Sequence, residues 1–350
     1  MGKHVEKKIT FIIPVYNIPV KKLDVCISSI ERQGIPNYEI IVIDDGSNKE
    51  YELETISALH EDVKYYRQKN SGVSKARNLG LEYATGENII FIDADDEVPE
   101  NFYQKARNVL QEKFDILLFS YCLVEPKNKR IIRMPKNVNL SEEKQEILAN
   151  IMFYPGKLGN YMFGSVWAKC FSKPFLDNNK IVFENNLRKA EDRRFMVDAI
   201  MSARTIKYSP VCAYCYNINI NSISHKLNWN MEEYYFLLKK SFDSFCTKNA
   251  ISREVSKFLE YSIFWELILL TVCHMNAGLK YSKRRKKFFD MYKNFNIDYK
   301  IRQINYRDFA TRNEKAKLFL MKRKWFLCIL LIAYRKQHFE NKGKTFYTKR

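Results

Sequence analysis

TFIIPVYN, residues 10–17, and EIIVIDDGS, residues 39–47, decide the fold. Thr10 to Val15 and Glu39 to Asp44 are short, apolar runs rich in β-branched residues. Each is closed by turn chemistry, Tyr16-Asn17 after the first and Asp45-Gly46-Ser47 after the second, so both read as buried strands. Between them Leu23, Cys26, Ile27 and Ile30 recur at helical spacing and the pattern stops at Gly34, giving strand, helix, strand.

Working outward, the same grammar predicts strands at Val63 to Tyr66, Asn88 to Ile92 and Asp115 to Tyr121. It predicts helices at Glu50 to His60, Ser74 to Ala84 and Asn101 to Glu112. Strands alternating with helices imply an α/β fold with a mainly parallel sheet covered on both faces, in which ligands bind beyond the carboxyl ends of the strands. After about residue 125 the alternation fades into a mixed region with aromatic and basic loops, and from Trp229 the chain reads as helical.

At 350 residues and 46% hydrophobic, the chain can bury a substantial core and is not a disordered protein. Its charge is unevenly placed. Leu279 to Arg350 holds 22 Lys and Arg against 5 Asp and Glu, +17 of the total +19. A nearly neutral body with a basic appendage seeks an anionic partner, either lipid headgroups or nucleic acid. Eight cysteines without a CxxC pair, and an N-terminal stretch without an apolar leader, give the expectation of reduced thiols in a cytoplasm.

The residues just past the strands carry the chemistry. A planar ring can stack on Tyr16 while Asp45 accepts hydrogen bonds from it, although ordinary turn residues explain either loop alone. The fourth strand runs into Asp93-Ala94-Asp95-Asp96. Three carboxylates in four residues repel one another unless a cation neutralises them. Hard oxygen ligands suit Mg²⁺ or Mn²⁺, ions that keep several waters and take substrate phosphates as further ligands. A solvated acidic loop capping the next helix is the alternative. In NSGVSKARNLG, residues 70–80, Gly72 permits a tight turn and Ser74 caps a helix that carries Arg77 and Asn78 in its first turn, where phosphate or a pyrimidine carbonyl is well received.

In order, TFIIPVYN, EIIVIDDGS, NSGVSKARNLGLEYATGENIIFIDADD and the Glu191-Asp192 pair in KAEDRRF resemble glycosyltransferase family 2, the inverting enzymes with the GT-A fold, over residues 8–226. The resemblance implies that Pro14, Tyr16 and Asp45 hold the nucleobase, with Arg77 near the base or its phosphates and Asp93 near the ribose. It implies that Asp95 coordinates a divalent metal, Mn²⁺ or Mg²⁺, bridging the diphosphate, while Asp96 orients the loop. Asp192 matches the catalytic base that deprotonates the acceptor hydroxyl, and Glu191 shapes the site. Trp167, in GSVWAK, either borders a sugar or packs in the core. His225, in NSISH, resembles a family histidine that reaches the metal or diphosphate, or is a surface histidine without a role.

The implied organisation is a GT-A domain over residues 1–226, with nucleotide-sugar binding in 1–125 and the acceptor and catalytic part in 126–226. A basic helical extension, 227–350, follows. The implied reaction moves a hexose or hexosamine from a nucleotide-diphosphate sugar, UDP-linked, to a saccharide or lipid-linked oligosaccharide acceptor in surface polysaccharide or capsule assembly. In the extension, Trp325 to Tyr334 gives only ten unbroken apolar positions, too few for a span. It therefore reads as an in-plane anchor on an anionic membrane surface at the cytoplasmic face, or as a helix that packs on the body or makes a homo-oligomer. The rivals are a nucleic-acid-binding protein using the basic tail, for which no motif occurs, and a non-catalytic scaffold, which the complete set of acidic positions disfavours. A sugar-1-phosphate nucleotidyltransferase would carry a glycine- and arginine-rich phosphate loop where PVYN stands.

Overall fold

The computed structural model describes residues 6–125, 128–134, 139–153, 161–187, 190–218, 231–248, 253–274, 278–309 and 312–341. The chain divides into two compact units, Met1–Ile151 with Leu158–Ile218, and Met152–Lys157 with Asn219–Arg350.

The first unit opens with β1 (Ile9–Val15), α1 (Val20–Glu31), β2 (Tyr38–Asp44), α2 (Ile56–Leu59), β3 (Val63–Arg67), α3 (Val73–Tyr83), β4 (Asn88–Phe91) and α4 (Phe102–Gln111). It continues through β5 (Ile116–Glu125), β6 (Asn128–Ile132), α5 (Lys144–Phe153), β7 (Lys169–Ser172), α6 (Lys173–Asn178), α7 (Glu191–Ser202) and β8 (Ile206–Asn217). The strands form one sheet in the order β3-β2-β1-β4-β7-β5-β6, with β8 also paired to β5. From β3 to β4 the pairing is parallel, and β8 runs parallel to β5, whereas β7 and β6 pair antiparallel with their neighbours.

The central strands are apolar because both their faces are covered: Ile9, Phe11 to Ile13 and Ile40 to Ile43 are fully buried. Helix α3 lies so close to this sheet that a Cβ on Gly80 would stand 2.4 Å from Ile12 Cγ2. Register then aligns the strand ends. Val15 pairs with Asp44 and Ile12 with Phe91, so the segments starting at Tyr16, Asp45 and Ile92 leave the sheet side by side.

One expected helix is broken. Glu50 to His60 forms two 3₁₀ turns, Lys49–Tyr51 and Leu53–Thr55, and then the single turn α2. Glu52 sits at φ 47° between the turns, and only Leu53, Ile56 and His60 are buried over this stretch, too narrow a face to hold a continuous helix.

The second unit is helical: α8 (Met231–Lys248), α9 (Arg253–Leu267) continuing as a π-helical segment Ile268–His274, α10 (Tyr281–Asn294), α11 (Ile297–Arg302), α12 (Arg312–Arg323) and α13 (Phe326–Asn341). Its core gathers Phe264, Ile268, Phe288, Met291, Ile301, Leu318, Met321 and Ile329. Two buried polar side chains are tied in here: Tyr261 Oη donates to Glu314 Oε2 at 3.0 Å, and Arg284 donates through Nε and Nη1 to the Leu279 and Cys273 carbonyls at 3.1 Å each, while its Nη2 has no hydrogen-bond partner among the described residues. No helix among the described residues is long and apolar enough to cross a membrane.

Candidate active site

The loops beyond β1 and β2 are organised by Asp45. Its Oδ1 accepts from Ser71 N and Gln68 Nε2, both at 2.7 Å, and its Oδ2 accepts from Gly72 N at 2.8 Å. Gly46 has φ +77°, and a Cβ there would lie 2.6 Å from Asn70 N, so only glycine lets the two loops meet. Tyr16 stands exposed at the end of β1 and Pro14 is half-buried within it, next to this corner. An exposed ring beside a buried carboxylate suits a planar heterocycle.

Beyond β4, Asp93 to Asp96 forms a tight turn closed by Asp96 N donating to Asp93 O at 3.0 Å. Asp96 fastens it to β8: Tyr214 Oη donates to its Oδ2 at 2.6 Å and Asn217 N to its Oδ1 at 2.7 Å. Asp93 N donates to Tyr214 Oη at 3.2 Å, and Asn217 Nδ2 to Asp95 O at 3.0 Å. Burial, helped by the neighbouring Asp93 charge, raises the Asp95 carboxyl above the ordinary carboxylate range and pushes Asp96 up to about 8. The turn is thus short of positive charge.

A buried cation meets this turn at Asp93: Arg77, on α3 and almost wholly buried. Its Nη2 donates to Asp93 Oδ1 at 3.0 Å, and its Nη1 to Glu191 Oε1 at 3.2 Å and, more closely, to Asp192 Oδ1. Its Nε has no partner among the described residues. The guanidinium lies 5.3 Å from the Phe183 ring, and Asn78 pins that loop by accepting from Phe183 N and donating to Phe183 O, both at 2.8 Å. Three carboxylates therefore converge on one guanidinium. The expected place of Arg77 was beside the base or phosphates; here its guanidinium faces the acidic groups of β4 and α7.

Glu191 and Asp192 occupy the first turn of α7, where the helix dipole favours negative charge. Burial nonetheless pushes the Asp192 carboxyl up to about 7, against the pull of Arg77 and with Glu191 and Asp93 adding to the rise. Val166 N points at Asp192 Oδ2 from 3.5 Å. The turn that carries Val166 is held by Lys169, fully buried on β7, whose Nζ donates to Met162 O, Ser165 Oγ and Trp167 O at 3.1–3.3 Å. Burial lowers that ammonium to about 7.

Trp167 is stacked on Tyr214 (centroids 4.8 Å) and Tyr216 (5.4 Å), edge-on to Tyr121, with 5% of its surface exposed. Of its two accounts, the geometry gives the packing one. His225 lies outside the described residues. Lys169, Tyr214 and Asn217 escaped sequence reasoning. A lysine inside the apolar run Trp167 to Phe171 was the available signal for the first, and nothing local marks the other two.

Among the described residues no set of three or more His, Cys, Asp or Glu side chains forms a metal cage. The oxygen-only, charge-rich Asp93–Asp95 turn instead suits an ion that draws most of its ligands from water and phosphate. The ends of the parallel strands thus carry a corner of exposed ring and buried carboxylate and an acidic turn, and Arg77 joins that turn to the acidic pair at the start of α7.

Comparison with known proteins agrees. Residues 10–168 match the family model "Glycosyl transferase family 2", so this part of the chain is a domain of that kind. The putative glycosyltransferase EpsH of Bacillus subtilis is 23% identical over 281 residues, covering 79% of each chain. The poly(ribitol-phosphate) beta-N-acetylglucosaminyltransferase TarP of Staphylococcus aureus is 31% identical over 222 residues, 61% of this chain and 63% of TarP. The crystal structure of S. aureus TarS 1-349 in complex with UDP-GlcNAc aligns over 97% of this chain and 93% of that one, with TM-score 0.62 at 18% identity, a likeness of fold. These relatives lend no support to the nucleic-acid-binding or scaffold alternatives.

Proposed function

We propose that the protein is a metal-dependent, inverting glycosyltransferase that moves a hexose or hexosamine from a UDP-sugar to a saccharide acceptor, lipid-linked, in surface polysaccharide assembly. The observation that carries the reading is the convergence of Asp93, Glu191 and Asp192 on Arg77. It joins Asp93, on the donor side of the site in this reading, to the carboxylate pair at the start of α7. The names of TarP, and of TarS with its bound UDP-GlcNAc, make UDP-GlcNAc the first donor to try.

In this reading Tyr16, Pro14 and Asp45 receive the uracil, and Asp93 the ribose. Asp95, with His225 as a further candidate ligand, would hold Mn²⁺ or Mg²⁺, which when bound would neutralise charge on the departing diphosphate. Asp192 accepts the proton of the acceptor hydroxyl while that oxygen forms its bond to the anomeric carbon. The bond from that carbon to the diphosphate breaks, its electron pair leaves with the nucleoside diphosphate, and configuration inverts in one displacement. Glu191 and Arg77 keep Asp192 aimed, and Trp167 backs the site. An acceptor tied to lipid would place the protein at the cytoplasmic face of a membrane, with an anionic surface as partner; a homo-oligomer is compatible with the same chemistry.

The test is release of nucleoside diphosphate from UDP-, GDP- and dTDP-sugars with Mn²⁺ or Mg²⁺. Turnover of one UDP-sugar, stopped by chelator and by Asp95→Ala, supports the proposal. Turnover that survives chelation contradicts its metal dependence, and a product retaining the donor's anomeric configuration contradicts inversion.

A further inference from the structure

Helix α13 is apolar on two faces. Phe326, Ile329, Leu330 and Ala333 are buried in the second unit, while Leu327, Leu331 and Tyr334 are 59%, 64% and 47% exposed. Spacings of four and three place those three residues in one outward ridge. At its start stands Trp325, 49% exposed, edge-on to Phe319 with ring centroids 5.2 Å apart, and the Arg323 guanidinium lies 5.8 Å from that Phe319 ring.

The neighbouring surface is cationic. Helix α10 packs against α13 through Phe288 and Tyr281, whose rings lie 5.2 and 5.5 Å from that of Phe326. Along α10, Tyr281, Arg285, Lys286 and Phe289 line an open groove of about 680 Å³, with the Arg285 guanidinium 5.0 Å from the Phe289 ring. An exposed leucine ridge flanked by aromatic and basic side chains has the composition of a helix that lies in a bilayer interface. A second copy of this chain would bring the same positive charges face to face, whereas an anionic surface neutralises them. At 16 residues α13 is roughly 24 Å long, short of the ~30 Å hydrocarbon core, so it lies in the plane instead of crossing.

We infer that α13 and α10 form a docking face for an anionic phospholipid bilayer. Trp325, Leu327 and Leu331 enter the boundary between headgroups and acyl chains, and Arg285, Lys286 and Arg323 meet headgroup phosphates. The inference deepens the membrane reading of the preceding section and is independent of the transfer chemistry.

The experiment is co-sedimentation of the full chain with phosphatidylcholine vesicles, with and without 30% phosphatidylglycerol, beside donor hydrolysis in the same preparation. Binding to the anionic vesicles alone is expected, weakened at least 10-fold by Leu327→Ser with Leu331→Ser and made less salt-sensitive by Arg285→Gln with Lys286→Gln. Hydrolysis of soluble donor should be unchanged in both variants, which shows that they fold and separates this proposal from the transferase reading. Equal binding by the leucine variant, no binding to anionic vesicles, or self-association in light scattering that the leucine changes abolish would each overturn it.

Discussion

Arg77 and Asp192 lie 115 positions apart in sequence and touch through a direct ion pair, while the other terminal nitrogen of the same guanidinium holds Asp93 at 3.0 Å. One buried side chain therefore links the end of β4 to the start of α7. Because it is the shared counter-ion of three acidic groups, the charge state of the pocket depends on it.

Removing Arg77 should be costly twice. Arg77→Met leaves Asp93, Glu191 and Asp192 facing one another without a cation, and loss of one partner of a buried pair typically costs about 3–5 kcal/mol. Denaturant unfolding should show that loss, with donor turnover falling at least 100-fold. Arg77→Lys keeps the charge but not the fork that serves separate carboxylates, so it should fall between the two.

The rate should depend on pH through Asp192. Its carboxyl is pushed up to about 7 by burial, and only the ionised form can accept a proton. Turnover at saturating donor should climb as pH rises through about 7 and then level off. A profile already flat from pH 5 would remove Asp192 from the role of base.

Lys169 should leave a mark on stability. Its folded-state value near 7 lies below the usual 10.5, so between those values the unfolded chain holds a proton that the folded chain has released. Stability from this group is complete above 10.5 and is lost as pH falls towards 7, by at most about 1.4 kcal/mol per pH unit. Unfolding of wild type and Lys169→Met at pH 7, 8 and 9 should show a difference that grows with pH. A constant difference would mean that the ammonium stays charged in the fold.

Tyr214→Phe removes the hydroxyl that holds Asp96 and the Asp93 amide. Partners behind a ligand turn commonly cost 10–100-fold in metal affinity. The concentration of Mn²⁺ giving half-maximal turnover should rise about 10-fold, with stability changed by only about 1 kcal/mol. An unchanged metal requirement would show that the turn holds its shape without Tyr214.

The strands β1 to β4 were legible because parallel strands covered on both faces read as unbroken apolar runs, and helix α3 because its periodicity follows the turn at Gly72; its N-cap is Gly72 and not the expected Ser74, which lies inside the helix and donates to Leu187 O at 3.2 Å. The stretch from Glu50 to His60 was not, since a left-handed Glu52 has no sequence mark of its own. Beyond residue 125 the order of strands depends on distant pairings, such as Leu117 with both Cys170 and Lys207, that local pattern does not encode. The site divides the same way. Carboxylates at strand ends announce themselves, but the inward aim of Arg77 and the support from Lys169 and Tyr214 exist only once remote segments meet.

The central claim is that Asp192 takes the acceptor's proton. It is tested most directly by the rate of UDP-GlcNAc turnover, with acceptor and Mn²⁺, in Asp192→Asn against wild type at pH 8, after unfolding curves show both folded. Asparagine keeps the shape and a hydrogen bond but cannot accept the proton, so a loss of about 10²–10⁴-fold with little change in donor affinity is predicted. Turnover within a few-fold of wild type would contradict the assignment and move the base elsewhere in the site.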